Sequence, residues 1–309
     1  MPSEFEIIRR YFDRPAASAA LGVGDDAALV RPRAGMEVAI STDLLVEGRH
    51  FRAGVDARKL GHKALAVNLS DMAAMGATPR WATLALALPD ADEAWIAAFA
   101  EGLFALAGRF GTELIGGDTV RGPRAVCISI LGEVPQGQAL RRDGARAGDD
   151  VWVSGDLGGA ALALARPDIA QAAERLDLPE PRVALGARLL GRASAAIDVS
   201  DGFAQDLGHI LERSGCGARV QYERLPKFAA FARIEQPELE RECVLSGGDD
   251  YELVFTAPQR ERPALEALAR ELALPLARVG EISADERLFV VDAQGHDMAV
   301  PRGFDHFPG

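Results

Sequence analysis

Segments with helical apolar spacing alternate with short strand-like runs along the whole chain, and this alternation points to a mixed α/β class. Ser3 and Glu6 stand at capping-box spacing and open a short helix reaching Phe12. Met36 to Ile40 reads as a strand, Asp56 as the cap of a helix running through Ala66 and beyond, and Arg80 to Leu88 as a second strand. A helix over Asp92 to Arg109 and strands at Glu113 to Ile115 and Ala125 to Val134 follow. From Pro135 to Asp150 apolar periodicity stops and Gly, Arg and Asp accumulate, which marks a junction between an N-terminal domain (1–137) and a C-terminal α/β domain (138–309). Beyond it the pattern predicts strands at Val151 to Val153, Ala196 to Val199, Tyr251 to Thr256 and Leu288 to Val291. Helices are expected at Ala160 to Ala165, Phe203 to Arg213 and Pro263 to Leu272.

Charge narrows the function classes. With 46 acids against 34 bases the formal net charge is −12, so the protein repels the backbone of nucleic acid. It would equally repel a phosphorylated metabolite unless metal cations stood between them. Apolar runs such as Trp81 to Leu88 are too short to span a bilayer. The opening MPSEFEIIRRYF carries acids and no apolar signal core, so a cytoplasmic location is expected. Cys127, Cys216 and Cys243 form no CxxC pair and read as small packing residues rather than as a zinc or iron–sulfur theme.

The acids are placed unevenly. Asp25 and Asp26 (GVGDDAAL), Asp43 (ISTDLL), Asp71 (NLSDMAAMGA), Asp118 (LIGGDTVRG), Asp198 and Asp201 (IDVSDG), and Asp249 and Asp250 (SGGDDYEL) cluster where strands or turns end, and several share one context: an apolar run, small residues, then a carboxylate. This context is expected to set charge at the open ends of strands, where Gly and Ser leave room for a ligand. Any single Asp there can be a turn former or a helix cap. Together they suit Mg²⁺, whose hard-oxygen preference matches carboxylates, water and substrate phosphates. The expectation is that they share one pocket, with cations relieving their mutual repulsion.

Familiar nucleotide motifs are missing. There is no GxxxxGK[ST] and no protein-kinase set of Gly-rich loop, HRD and DFG. Gly22 to Ala27 fits GxGxxA in letters, but no clear strand precedes it and two acids occupy the place of a pyrophosphate. Gly155 to Gly159, between a strand and a helix, could present N–H groups to an anion or be a simple tight turn. No GxSxG or HExxH provides a nucleophile or zinc pair, and phosphoryl transfer needs neither.

These segments, in order and over nearly the whole chain, resemble the thiamine-monophosphate kinase family of the aminoimidazole ribonucleotide synthetase-like superfamily; KALAVNLSDMAAMGA and SGGDDYEL carry the resemblance most specifically, and GFDHF closes it. The resemblance implies a two-domain fold of that superfamily, with the N-terminal domain forming a dimer sheet or barrel, and a homodimer without nucleic-acid or membrane partners. It implies ATP and thiamine monophosphate as substrates, several Mg²⁺ ions, and direct in-line transfer giving thiamine diphosphate. By position it assigns Asp26, Asp43, Asp71, Asp118, Asp198 and Asp201 to metal, with Asp71, Asp118 and Asp201 as the catalytic acids and Asp25 beside them. Thr42, Gly117, Asp118, Arg142 and Ser200 are assigned to ATP, and His50, Asp249 and Phe304 to thiamine phosphate. Where this chain has Asp249 the family commonly has Glu, so the side chain here is one methylene shorter. The alternatives are another ATP-dependent synthetase of the superfamily, for which the first cysteine, Cys127, lies too far along the chain to match selenophosphate synthetase, or a non-catalytic divalent-cation module, for which EF-hand spacing is absent.

Overall fold

In the computed structural model, which describes residues 2–301 and 303, helix α1 (Glu4–Ile7) starts where the capping box predicts. Glu6 Oε2 accepts the Ser3 N–H at 2.8 Å and Ser3 Oγ accepts the Glu6 N–H at 3.4 Å, which satisfies two end donors at once. A π-helical turn carries the chain on to Phe12.

The backbone divides into two units, residues up to 72 with 77–137, and residues 73–76 with 138–309. In the first, β1 (Met36–Val46), α2 (Ala57–Ala74), β2 (Thr78–Leu88), α3 (Glu93–Phe110), β3 (Glu113–Arg121) and β4 (Ala125–Pro135) build a four-stranded sheet in the order β1-β4-β2-β3. β4 is antiparallel to β1 and β2, whereas β3 runs parallel to β2. Ile128, Ile130, Leu84 and Leu86 bury one face of this sheet. The other face leaves Ile40 66%, Leu44 54% and Val120 51% exposed. α3 buries Ile96, Phe99, Leu103 and Leu106 at helical spacing, starts on the Asp92 side chain, and stops at Gly111 in a left-handed conformation. α2 and α3 cross through glycines: a Cβ on Gly61 would lie 2.0 Å from the Phe99 carbonyl oxygen, and one on Gly102 would lie 1.8 Å from that of Arg58.

The second unit contains β5 (Asp149–Ser154), α4 (Gly159–Ala165), α5 (Ala170–Asp177), α6 (Val183–Leu189), β6 (Ala195–Asp198), α7 (Phe203–Ser214), β7 (Gly217–Gln221), α8 (Pro237–Ser246), β8 (Leu253–Pro258), α9 (Arg262–Glu271), β9 (Leu276–Ser283) and β10 (Leu288–Val291). Its six-stranded sheet has the order β10-β7-β9-β5-β8-β6 and is antiparallel except for the β10–β7 pair. Val151, Val153, Ile197, Phe203, Leu207, Ile210, Val254 and Val279 lie in one continuous core.

Three expectations are corrected. β1 continues six residues past Ile40, and β3 six residues past Ile115, so Asp43 and Asp118 lie inside strands rather than at their ends. Asp71 lies inside α2 rather than at a strand end. β8 begins at Leu253, not Tyr251, because Asp249 (φ 66°) and Tyr251 (φ 51°) are left-handed and cannot extend a strand. Among the described residues no helix is long and apolar enough to cross a membrane.

Candidate functional site

In the first unit, alternation along β1 sets Ser41 and Asp43 on one side and Thr42 on the other. Ser41 Oγ donates to Asp71 Oδ2 of α2 at 2.5 Å, tying the strand to the helix through a half-buried carboxylate. Thr42 Oγ1 lies 2.8 Å from Ser129 Oγ on the paired strand. His50 closes the turn after β1: its Nδ1 accepts the Val46 N–H at 3.0 Å, so a neutral ring carries its proton on Nε2.

The opposite edge of the sheet is opened by a glycine. Gly117 has φ 151°, and a Cβ there would fall 1.9 Å from the Leu84 carbonyl oxygen on β2. The β2–β3 register also shifts between Ala82 and Thr83. Gly117 and Asp118 border a cavity of about 770 Å³ that Asp25, Asp26, Thr83 and Leu84 also line. That volume lies within the usual range for small-molecule pockets. Gly117→Ala should separate β2 from β3 and lower the thermal midpoint by several degrees, because neither backbone can yield 1 Å or more without losing ladder bonds. A midpoint within a degree of the parent would refute this packing argument.

The structure does not gather the first unit's acids into one cluster. β1 and β3 are the two edges of the sheet with β4 and β2 between them, so Asp43 and Asp118 stand three strand spacings apart, about 14 Å. Asp25, Asp26, Gly117 and Asp118 share one cavity; Ser41 and Asp71 are bonded to each other, and Asp43 is on the Ser41 side of β1. Among the described residues no three or more His, Cys, Asp or Glu side chains come together as a ready metal site. Hard-oxygen donors in ones and twos still suit Mg²⁺, which keeps several waters and completes its shell with substrate phosphates.

In the second unit Asp198 ends β6 and Asp201 lies in the turn before α7. A second loop is stitched to this turn: the Asp249 N–H donates to the Ser200 carbonyl at 2.9 Å and the Tyr251 N–H to that of Val199 at 2.8 Å. A Cβ on Gly248 would come within 2.3 Å of the Ser200 carbonyl oxygen, so only glycine permits this approach. The Tyr251 hydroxyl donates to Asp249 Oδ1 at 2.9 Å. Arg142 is exposed, its carbonyl accepting from Ser214 Oγ at 2.9 Å, while its neighbour Arg141 pairs with Asp143. Phe304 lies outside the described residues.

The Gly155 to Gly159 turn is already occupied by a carboxyl group. Asp250 accepts the Gly158 N–H at 2.6 Å and the Ala160 N–H at 3.4 Å. Burial pushes the Asp250 carboxyl up to about 8, against the lowering effect of those two donors. An acid raised in the folded state contributes stability that is complete below the ordinary carboxylate range and is lost as pH rises through the folded value. The thermal midpoint should therefore fall as pH rises from about 4 to about 8, and Asp250→Asn should remove much of that slope. An unchanged slope in the variant would exclude Asp250 as its source.

Two acids escape sequence reasoning. Asp206, in α7, is buried and accepts the N–H groups of Ser200, Asp201 and Gly202; burial and the nearby Asp198 charge push it up to about 7. Its only signal in the sequence is an acid in the first turn of a helix. Glu252 is 1% exposed and accepts from Ser154 Oγ at 2.6 Å, from Arg182 Nε at 2.7 Å and from Arg175 at 3.2 Å.

Comparison with known proteins adds to this geometry. The family described as AIR synthase related protein matches with its N-terminal domain over residues 24–134 and with its C-terminal domain over residues 146–293. Thiamine-monophosphate kinase of Escherichia coli K12 is 45% identical over 318 residues, covering 98% of each chain. The crystal structure of thiamine-monophosphate kinase from Stenotrophomonas maltophilia K279a superposes with a TM-score of 0.86 at 47% identity, over 94% of this chain and 95% of that one. AaThiL, solved in complex with AMPPCP and TMP, superposes with a TM-score of 0.78 at 28% identity, over 90% of this chain and 89% of that one.

Proposed function

We infer the reaction from the family to which this chain belongs, the thiamine-monophosphate kinases within the AIR synthase related proteins: it phosphorylates thiamine monophosphate with ATP, giving thiamine diphosphate and ADP. The bond from the γ-phosphorus to the β–γ bridging oxygen breaks, and a bond from that phosphorus to a phosphate oxygen of thiamine monophosphate forms. The accepting oxygen is already largely ionised near neutral pH, so no side chain has to remove a proton.

The observation that carries the nucleotide assignment is the cavity at the Gly117 edge, where a strand backbone bare of a side chain stands beside Asp25, Asp26 and Asp118. We assign Thr42, Gly117, Asp118, Arg142 and Ser200 to ATP. Arg142 has the planar donor fork that phosphate oxygens fit. Thiamine phosphate is assigned to His50, Asp249 and Phe304. In His50 Nδ1 accepts the Val46 N–H, so in the neutral ring Nε2 carries the proton.

Asp26, Asp43, Asp71 and Asp118 of the first unit, and Asp198 and Asp201 of the second, would hold Mg²⁺. When bound, the metal neutralises charge between the two anionic reactants and in the transition state. Asp71, Asp118 and Asp201 are assigned the catalytic part of this set. The Ser41 bond fixes the direction of Asp71, and the Gln205 amide approaches Asp201 Oδ2 at 3.4 Å. A homodimer would cover the exposed sheet face bearing Ile40, Leu44 and Val120; sedimentation at the mass of one chain would overturn it.

The test is direct. Incubation with ATP, Mg²⁺ and thiamine monophosphate should yield thiamine diphosphate, and chelation of Mg²⁺ should stop its formation. No product at saturating substrates would remove the kinase reading; product that survives chelation would remove the metal assignment alone.

A further inference from the structure

The turn that carries Ser200 and Asp201 is held from beneath by a carboxylate with no assigned part in the reaction. Asp206 is 2% exposed, and its Oδ2 alone accepts three consecutive backbone N–H groups, those of Ser200 at 3.1 Å, Asp201 at 3.1 Å and Gly202 at 3.0 Å. The first N–H groups of a helix have no partner within it and ordinarily take a side chain from the N-cap. The N-cap of α7 is Gly202, which has no side chain to offer. Nor could another residue replace it, because Gly202 has φ 123° and a Cβ there would sit 2.7 Å from the backbone carbon of Ser246. Asp206, one turn into α7, instead binds the N–H groups of the turn that leads into the helix.

The consequence is a turn gripped on both sides. The Ser200 peptide gives its N–H to Asp206 and receives the Asp249 N–H on its carbonyl at 2.9 Å. Asp201 gives its N–H to the same carboxylate, while its side chain receives the Gln205 amide. Rotating either peptide plane would cost a buried hydrogen bond. Because all three donors end on Asp206, none of the three is left for a phosphate, so this turn acts through its side chains.

We propose that Asp206 is a positioning residue: its carboxylate fixes the Val199–Gly202 turn so that Asp201 and Ser200 hold the directions the transfer requires. This rests on the reading above, in which Ser200 contacts the nucleotide and Asp201 belongs to the metal set. A neutral amide oxygen accepts more weakly than a carboxylate, so Asp206→Asn keeps the volume and loosens the grip.

In the full-length protein, Asp206→Asn should lower kcat about tenfold and Asp206→Ala about a hundredfold, the scale of a small misplacement of reacting groups. The Mg²⁺ concentration giving half-maximal rate should rise severalfold in both, while KM for thiamine monophosphate stays within about twofold. A merely structural role would reduce the folded fraction and leave the Mg²⁺ dependence of the remaining enzyme unchanged. The proposal is overturned if Asp206→Asn matches the parent in kcat and Mg²⁺ dependence, or if its loss of rate equals its loss of folded protein measured by circular dichroism. Should Asp206→Ala fail to fold, the Asn variant decides the matter alone. Asp201→Asn run in parallel separates the two layers. If it keeps parental turnover, the assignment of Asp201 fails; if it is inactive while Asp206→Asn is unchanged, only the positioning role fails.

Discussion

Asp71→Asn should cut turnover by about 10²–10³-fold, the loss expected when one group that stabilises transferred charge is removed. Folding should be little affected. The side chain is half-buried in α2, and an amide oxygen can still accept the Ser41 hydroxyl. What disappears is the negative charge that would draw and hold the metal. The measurement is steady-state turnover at several Mg²⁺ concentrations alongside thermal unfolding. Near-parental turnover at every concentration would end the assignment of Asp71.

The second large effect concerns stability. Glu252 is almost fully enclosed, with the Arg182 guanidinium bound across both its oxygens and Arg175 on one of them. The side chains of Arg182 and Arg175 are themselves only 15% and 24% exposed. Removing one member of a buried ion group leaves the others desolvated without a partner, at a cost of about 3–5 kcal/mol. Glu252→Ala should weaken the second unit by that amount in denaturant titration. It also strips Ser154 Oγ of its acceptor, although that hydroxyl would still receive the Leu253 N–H. Glu252→Gln, which keeps shape and loses charge, should fall between. A loss below about 1 kcal/mol for the alanine variant would show that water relaxes into the gap.

The elements that could be read from sequence are those whose pattern is local. α3 declares itself by an Asp cap, an apolar stripe and a terminal glycine, and the structure starts and stops it there. β1 and β3 do not. Asp43, Gly116, Gly117 and Asp118 are of residue types depleted in strands. They are extended because β4 and β2 pair with them residue by residue, and that tertiary choice leaves no local mark. β9 was equally hidden, its LARVGEIS mixing polar and apolar residues without clean alternation. For the site, a carboxylate beside small residues was legible as a type. Its neighbours were not: Asp43 and Asp118 share a motif yet sit on opposite edges of a sheet, and sheet order is a global property. Asp250 misled in another way. The Gly-rich turn looks open to an anion in the sequence, but its occupant comes from a residue 92 positions along.

The left-handed backbone at Asp249 and Tyr251 bears on how fast the substrate proposed for Asp249 would be captured. Each such residue costs on the order of 1–2 kcal/mol to set, and here that cost is met by folding, before any ligand arrives. A loop that had to order itself around its guest would gate every encounter with its own search through conformations. This one leaves capture to diffusion and charge, so the association rate should respond to ionic strength and little to solvent viscosity beyond its effect on diffusion.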